Sequence, residues 1–378
     1  MGRRGAWALV FALGACSGFR EVVDAGADGG EDLGDAGVAD LAGADLAGAD
    51  FAGADLGPPA ACRVLPLDCL DPTPANVIEV PGESTASAAF AGAKAGDTIQ
   101  LRAFSLGAGF QVPAFVTLRG CEGSVLKGGL AFAGSGGVVE GFEISGTVVA
   151  NKTGSYVVRF NRFVDGGVAS EAGVSARSID ALVSASVTAL VDSNRFTARA
   201  MGVEARTQYD TMTHEVTLTV RNNIFDGVAS PVTVSESGLV GKITPRVEHN
   251  TFHGFDRAIR LFSVDNTVTV TAGNLFSSGT HAVDSASAYE VQYSFVWQVT
   301  TPAPMAPLTG TFAVADPAFA DPALGDFRLG PGSLVIDTIP AGTAVPAEDF
   351  FGCPRPRAFL PGGGGAAKAD PGAVEAQP

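Results

Sequence analysis

A chain of 378 residues, 46% hydrophobic, with 49 glycines and 22 prolines, has the material for one large, turn-rich domain. Its net charge of −16, with 24 basic residues against 40 acidic and no basic run, excludes nucleic acid as a partner, because phosphate binding needs clustered Lys and Arg. Phenylalanine outnumbers tyrosine 24 to 4, which assigns the aromatics to packing rather than to a sugar-stacking surface.

Residues 1–16, MGRRGAWALVFALGAC, set two arginines before an apolar run from Ala6 to Leu13 and end in Leu13-Gly14-Ala15-Cys16. That order is the plan of a secretion signal peptide, and the run is too short to span a bilayer. The ending resembles a bacterial lipobox. The resemblance implies a lipid on Cys16 and attachment to a membrane; Ser17 in place of aspartate implies an outer-membrane or cell-surface address. Arg3-Arg4 lacks the remainder of a twin-arginine motif.

Residues 17–60 hold ten acids and a single base, Arg20, and include ADLAGADLAGADFAGADLG from Ala39 to Gly57. The unit resembles a pentapeptide repeat, but it supplies one coil's worth, and a solenoid needs several repeats to bury a face. With Gly- and Asp-rich flanks and Pro58-Pro59 behind it, the segment reads as a disordered acidic tether. Cys62, Cys69, Cys121 and Cys353 form an even set suited to disulfides after export. Of three connectivities, the short spacing favours Cys62–Cys69, leaving Cys121 with Cys353. No Cys-x-x-Cys or Cys/His spacing points to a metal, and no cofactor is expected.

The expected domain begins near residue 61. Ile78-Glu79-Val80, a small-apolar stretch from Ser84 to Ala95, then GDTIQL (96–101), VTLRG (116–120) and GFEISG (141–146) precede a long-period repeat. VVRFNRF, ALVDSNRF, TVRNNIF, RVEHNTF and TAGNLF each end in Asn-x-Phe, with Asn161, Asn194, Asn223, Asn250 and Asn274 separated by 33, 29, 27 and 24 residues. Five residues before each Phe stand Val158, Val191, Val220 and Val247; the last copy has Val270 one place early, which predicts a one-residue bulge. Seven residues after Phe come Val203, Val232, Ile259 and Val283, and Val174 joins them through a four-residue insertion.

Period-two alternation such as Val216-Thr-Leu-Thr-Val220 marks strands. Two strand columns in register, joined at an Asn corner, specify an all-β fold, a right-handed parallel β-helix. Asparagine suits the corner because it tolerates left-handed backbone and bonds to nearby main chain. Stacked about 4.8 Å apart, the residues predict an asparagine ladder and an inward phenylalanine stack. The opening text resembles that of pectin-lyase-like β-helices, which implies a short N-terminal helix capping the first coil. After residue 310, DPAFADPALGDFRLGPGSLVID (316–337), GCPRPR (352–357) and DPGAVE (370–375) resemble a choice-of-anchor Q segment. The resemblance makes residues 311–378 the closing segment of residues 61–310.

Lyases and hydrolases of the pectin-lyase-like group make an enzyme worth testing. Their hydrolase motifs Asn-Thr-Asp, Gly-His-Gly and Arg-Ile-Lys are missing: Asn250-Thr251 is followed by Phe252, and His253-Gly254 lacks a leading glycine. Four residues before Phe, Arg159, Asp192, Arg221 and Glu248 alternate in sign and predict an exposed ionic ladder. Arg257, Arg260, His281 and Asp284 fall on successive coils of the second column, beside His253 and Asp256. They read either as a site for an acidic sugar, with His281 as acid or base, or as a mutually neutralising surface cluster. His214 and His249 are expected at the surface and at the ladder edge. The reading is a surface-tethered, non-catalytic binding or structural module for polysaccharide or another surface protein. The alternative is a polysaccharide lyase or glycoside hydrolase acting on an acidic polysaccharide.

Overall fold

The computed structural model describes residues 69, 76–107, 109–165, 171–178, 184–208, 213–236, 241–262, 270–285, 288–303, 307, 310–355 and 368–376. Cys16, the acidic repeat and Cys62 lie outside the described residues.

Each coil contributes to three faces. Face A is a sheet of ten parallel strands, from Val77–Val80 to Glu290–Gln292, each paired with the strand one coil later. In His214–Arg221 the side chains of His214, Val216, Leu218 and Val220 are buried while the intervening ones point outward, as alternation dictates. Face B consists of two- and three-residue strands such as Arg195–Thr197 and Ile224–Asp226, which carry the phenylalanines. Face C holds Ala172–Ser178, Met201–Thr207, Ser230–Glu236 and Arg257–Phe262. The strand Leu275–Ser285 runs through B into C without a break, which joins the two faces into a single sheet. Parallel strands wound A, B, C and back to A make a right-handed parallel β-helix. The helix Glu83–Gly92 buries Ala86 and Phe90 against the first coil, as the opening text implied.

The Asn-x-Phe triplet works as expected in one respect and differently in another. Asn194, Asn223, Asn250 and Asn274 are fully buried, and each Oδ1 accepts the backbone N–H of the asparagine one coil earlier at 2.9–3.0 Å. Each Nδ2 donates to a carbonyl of the preceding coil, as Asn223 does to Val191 at 2.9 Å. Left-handed backbone, however, belongs to the residue before it: Phe160, Ser193, Asn222, His249, Gly273 and Tyr293 all have φ between 48° and 60°. The ladder asparagine is therefore selected for its side-chain amide. Gly273 is the one glycine among them, and a Cβ there would lie 2.8 Å from the His249 ring. On the following coil Ser294 replaces the asparagine, its Oγ accepting from Asn274 N–H at 3.2 Å. Phe163, Phe196, Phe225, Phe252 and Phe276 stack with centroids 4.6–5.0 Å apart and planes within 10°.

Val174 pairs with Val203 as the insertion required. The predicted bulge is absent: Val247 pairs with Thr271, so threonine occupies the valine position and Val270 aligns with Arg246. Thr271 is tolerated in the core because its hydroxyl donates to Glu290 O at 2.9 Å. The local disulfide is also corrected. Cys69 is bonded to Cys121, with Cα atoms 5.3 Å apart, and Cys353 is disulfide-bonded to neither of them. Coil geometry, not chain proximity, brought the first pair together.

The ionic ladder is longer than expected and its acids are not exposed. Arg159, Asp192, Arg221 and Glu248 are aligned, and the column continues upward through Glu140 and Arg119. Glu140, 1% exposed, is gripped by Arg119 at 2.6 Å and Arg159 at 2.8 Å. Arg221 holds Asp192 through two nitrogens at 2.9–3.0 Å.

The C-terminal segment is a lateral strap. It forms the hairpin Phe319–Asp321 with Asp326–Leu329, then runs over face B. Phe327, Phe350 and Val374 pack on Ile224, and Leu329, Val335 and Ala376 pack on Leu275. Ala373 N–H donates to Thr251 Oγ1, and Asn222 Nδ2 donates to Glu348 O. Arg355, buried, forms an ion pair with Glu375 at 3.3 Å and donates to His249 Nδ1 and to the carbonyls of Asp370, Gly372 and Ala373.

Candidate functional site

With face B covered by the strap along these coils, faces A and C carry the outward polar groups. Outward positions of consecutive coils form two columns. One runs Ser175, Glu204, Thr233, Arg260, Asp284; its neighbour runs Arg177, Arg206, Ser235, Phe262. The four residues predicted from sequence are brought together: Arg257 is aligned with His281, and Arg260 with Asp284.

Their contacts are loose. Arg257 approaches Asp284 at 3.5 Å and Asp256 at 3.7 Å, and Arg260 approaches Asp284 at 3.9 Å. The Nε–H groups of Arg206, Arg257 and Arg260 are buried without a hydrogen-bond partner, so these side chains meet solvent through their terminal nitrogens. Arg260 lies over the half-exposed Phe262 ring, 4.4 Å from its centroid. The ladder arginines of face A, by contrast, are held in close ion pairs at 2.6–2.9 Å. Arg206 was not anticipated. Counting ten residues beyond Phe196 finds it, three positions past Val203. Arg177 pairs with Glu204 at 3.0 Å, which leaves Arg206 the unmatched cation among the described residues of this face.

The His281 ring makes no hydrogen bond to Asp256 or Asp284, so among the described residues no base on this face is oriented by an acid. His253 belongs elsewhere: it projects from face B and its ring lies 5.2 Å from Phe327 of the strap. Burial lowers its pKa, against the opposing pull of Asp226. His214 is not a surface residue. It is fully buried, two positions before Val216 on the inward side, with Nδ1 2.8 Å from Ser178 Oγ. His249 sits at the ladder edge as expected, but enclosed; burial first and Arg355 second hold its pKa well below the usual 6.5. Among the described residues no cluster of His, Cys, Asp or Glu is arranged for a metal.

Fold and face together define a parallel β-helix with a polar, arginine-bearing side and a strapped side. No family model matches the chain, and no curated protein matches it. Among solved structures it is similar to a mutant of AlyGC, a PL6 family alginate lyase, at 12% identity and a TM-score of 0.27. The match covers 64% of this chain and 54% of that one, so the chain spans about half the length of the lyase structure.

Proposed function

We propose that the β-helix is a non-catalytic binding module for an acidic polysaccharide, carried on a membrane lipid at Cys16 and held off the surface by the tether of residues 17–60. The observation that carries this reading is the loose ion pairing of Arg257 and Arg260, with Arg206 beside them in no ion pair among the described residues. On an acidic protein, guanidinium groups that reach solvent and whose ion pairs are no shorter than 3.5 Å supply a local site for carboxylates. Groups already committed to short ion pairs, as on face A, offer an anion little. His281 lacks an orienting partner, which favours binding over proton transfer.

The test titrates the full chain with a polyuronate at low and high salt while monitoring ultraviolet absorbance for an unsaturated product. The expected result is salt-sensitive binding, weakened about tenfold, ~1.4 kcal/mol, by Arg206→Ala with Arg260→Ala, and no absorbance change. Absence of binding overturns the module; turnover abolished by Arg260→Ala replaces it with a lyase. For the address, Cys16→Ala is expected to move the protein out of the membrane fraction. Unchanged membrane association refutes the lipid.

A further inference from the structure

Face C changes character toward the N-terminal coils. The column that carries Glu204, Thr233 and Arg260 begins with Gln111, Ala131 and Val149, aligned on three successive coils. Small side chains there, flanked by Gly109 and Gly129, leave an open pocket of about 380 Å³. That volume is in the range of small-molecule sites. Its floor is apolar, with Ala131 and Val149 beside Phe110, and one wall carries Glu171 and Arg177.

The polar groups of this wall have capacity left. Thr147 Oγ1 is 3.4 Å from Glu171 Oε2, but its hydroxyl hydrogen is drawn to Ala172 O at 2.7 Å. The Glu171 carboxylate therefore keeps its acceptor sites. Arg177 uses Nε and Nη2 on Ser175 and Glu204 and keeps Nη1. Its charge is matched by Glu204, and that of Glu171 is opposed by nearby Arg199, so the pocket offers an ion no net counter-charge. An apolar floor below one carboxylate, one free guanidinium nitrogen and the Gln111 amide calls for a ligand with a flat C–H face and a rim of hydroxyls.

We propose that this pocket binds an uncharged, hydroxyl-rich ring, a neutral pyranose, either free or as the terminal unit of a glycan. The Glu171 carboxylate accepts from two neighbouring hydroxyls, Arg177 Nη1 donates to a ring or hydroxyl oxygen, and Ala131 and Val149 support the C–H face. The inference stands apart from the arginine face, whose residues lie on later coils.

Saturation-transfer NMR of the full chain with methyl glycosides of glucose, galactose, mannose and xylose tests it, with glycerol and butylamine as competitors. Ala131→Trp fills the floor from an outward position; Val149→Phe does the same should that variant misfold by circular dichroism. At least one glycoside is expected to bind, to lose its signal in the filled variant, and to weaken about tenfold in Glu171→Gln. Polyuronate binding is expected to persist in the filled variant, which separates failure of this site from failure of the arginine face. An oligosaccharide ending in the preferred sugar that binds at least as tightly as the methyl glycoside assigns the site to a glycan end; its exclusion assigns the site to free sugar. No binding by any glycoside, an unchanged signal in the filled variant, or equal competition by glycerol or butylamine overturns the proposal.

Discussion

Asn223→Ala tests the ladder at its centre. The substitution removes the acceptor of Asn194 N–H, 2.9 Å away, and the donor to Val191 O, also 2.9 Å away. Both groups are then sealed in a corner where Asn223 and its ladder neighbours are fully buried. An unsatisfied buried polar group costs about 1–3 kcal/mol, so two cost about 2–6 kcal/mol before any contribution from the lost volume. Urea denaturation followed by circular dichroism reads the loss as a shift in midpoint at constant slope. Asn223→Ser is expected to recover part of it, because Ser294 already performs the acceptor role one coil after Asn274 at 3.2 Å. Coils joined only to their neighbours can unfold separately, and a second transition confined to the variant fits the same mechanism. A midpoint unchanged from wild type in Asn223→Ala refutes the account of the amide as the corner's fastening.

Glu140→Ala leaves Arg119 and Arg159 facing each other without their shared carboxylate, and a loss of about 3 kcal/mol is expected in the same denaturation assay, the low end because both arginines retain solvent. Arg355→Met removes the ion-pair partner of the buried Glu375 carboxylate and the donor to three strap carbonyls, and limited proteolysis followed by mass spectrometry should find the first cleavages within 316–376; a wild-type digestion pattern refutes the strap's dependence on Arg355. His249 accepts from Arg355 and is held neutral by burial, so the unfolded chain takes up its proton first: its contribution is complete above pH 6.5 and is lost as pH falls below that value. Asp349 and Asp370 have pKa values raised by burial, so their contribution has the opposite sign, complete below the usual carboxylate value and lost as pH rises through the raised one. Thermal melts between pH 7.5 and 5.5 should therefore show a falling midpoint that His249→Gln flattens, and equal slopes in the two proteins refute His249 as the responsible group.

The coil was legible because its two strongest signals are local in sequence and repeat along the chain. A buried amide that must bond to both neighbouring coils can hardly be replaced, so Asn recurs at every corner from Asn161 to Asn274. A ring stacked on rings at less than 5.1 Å likewise tolerates little but Phe. The three-sided section was harder to read, since face B strands such as Arg162–Phe163 are too short to show alternation. The position of left-handed backbone was invisible for a related reason. Phe160, Ser193, Asn222, His249, Gly273 and Tyr293 share a conformation and no chemistry. The Cys69–Cys121 disulfide and the strap join segments far apart in sequence, and neither spacing nor periodicity encodes which coil they meet.

The site divides along the same line. Once the Phe register is counted, Arg257, Arg260, His281 and Asp284 follow from it, because outward residues of a β-helix stack as strictly as inward ones. What the register does not supply is whether neighbouring charges spend each other. Arg221 and Arg260 occupy equivalent kinds of position, each beside an aspartate, yet one is bound through two nitrogens at 2.9–3.0 Å and the other stops at 3.9 Å over a phenylalanine ring. Sequence alternation therefore predicts a neutral ladder in both places, and the surroundings of each aspartate decide between them. On face A the Asp192 carboxylate is buried and aimed at its arginine. On face C, Asp284 is shared by two arginines and satisfies neither, and the difference is the capacity left for an anion from outside.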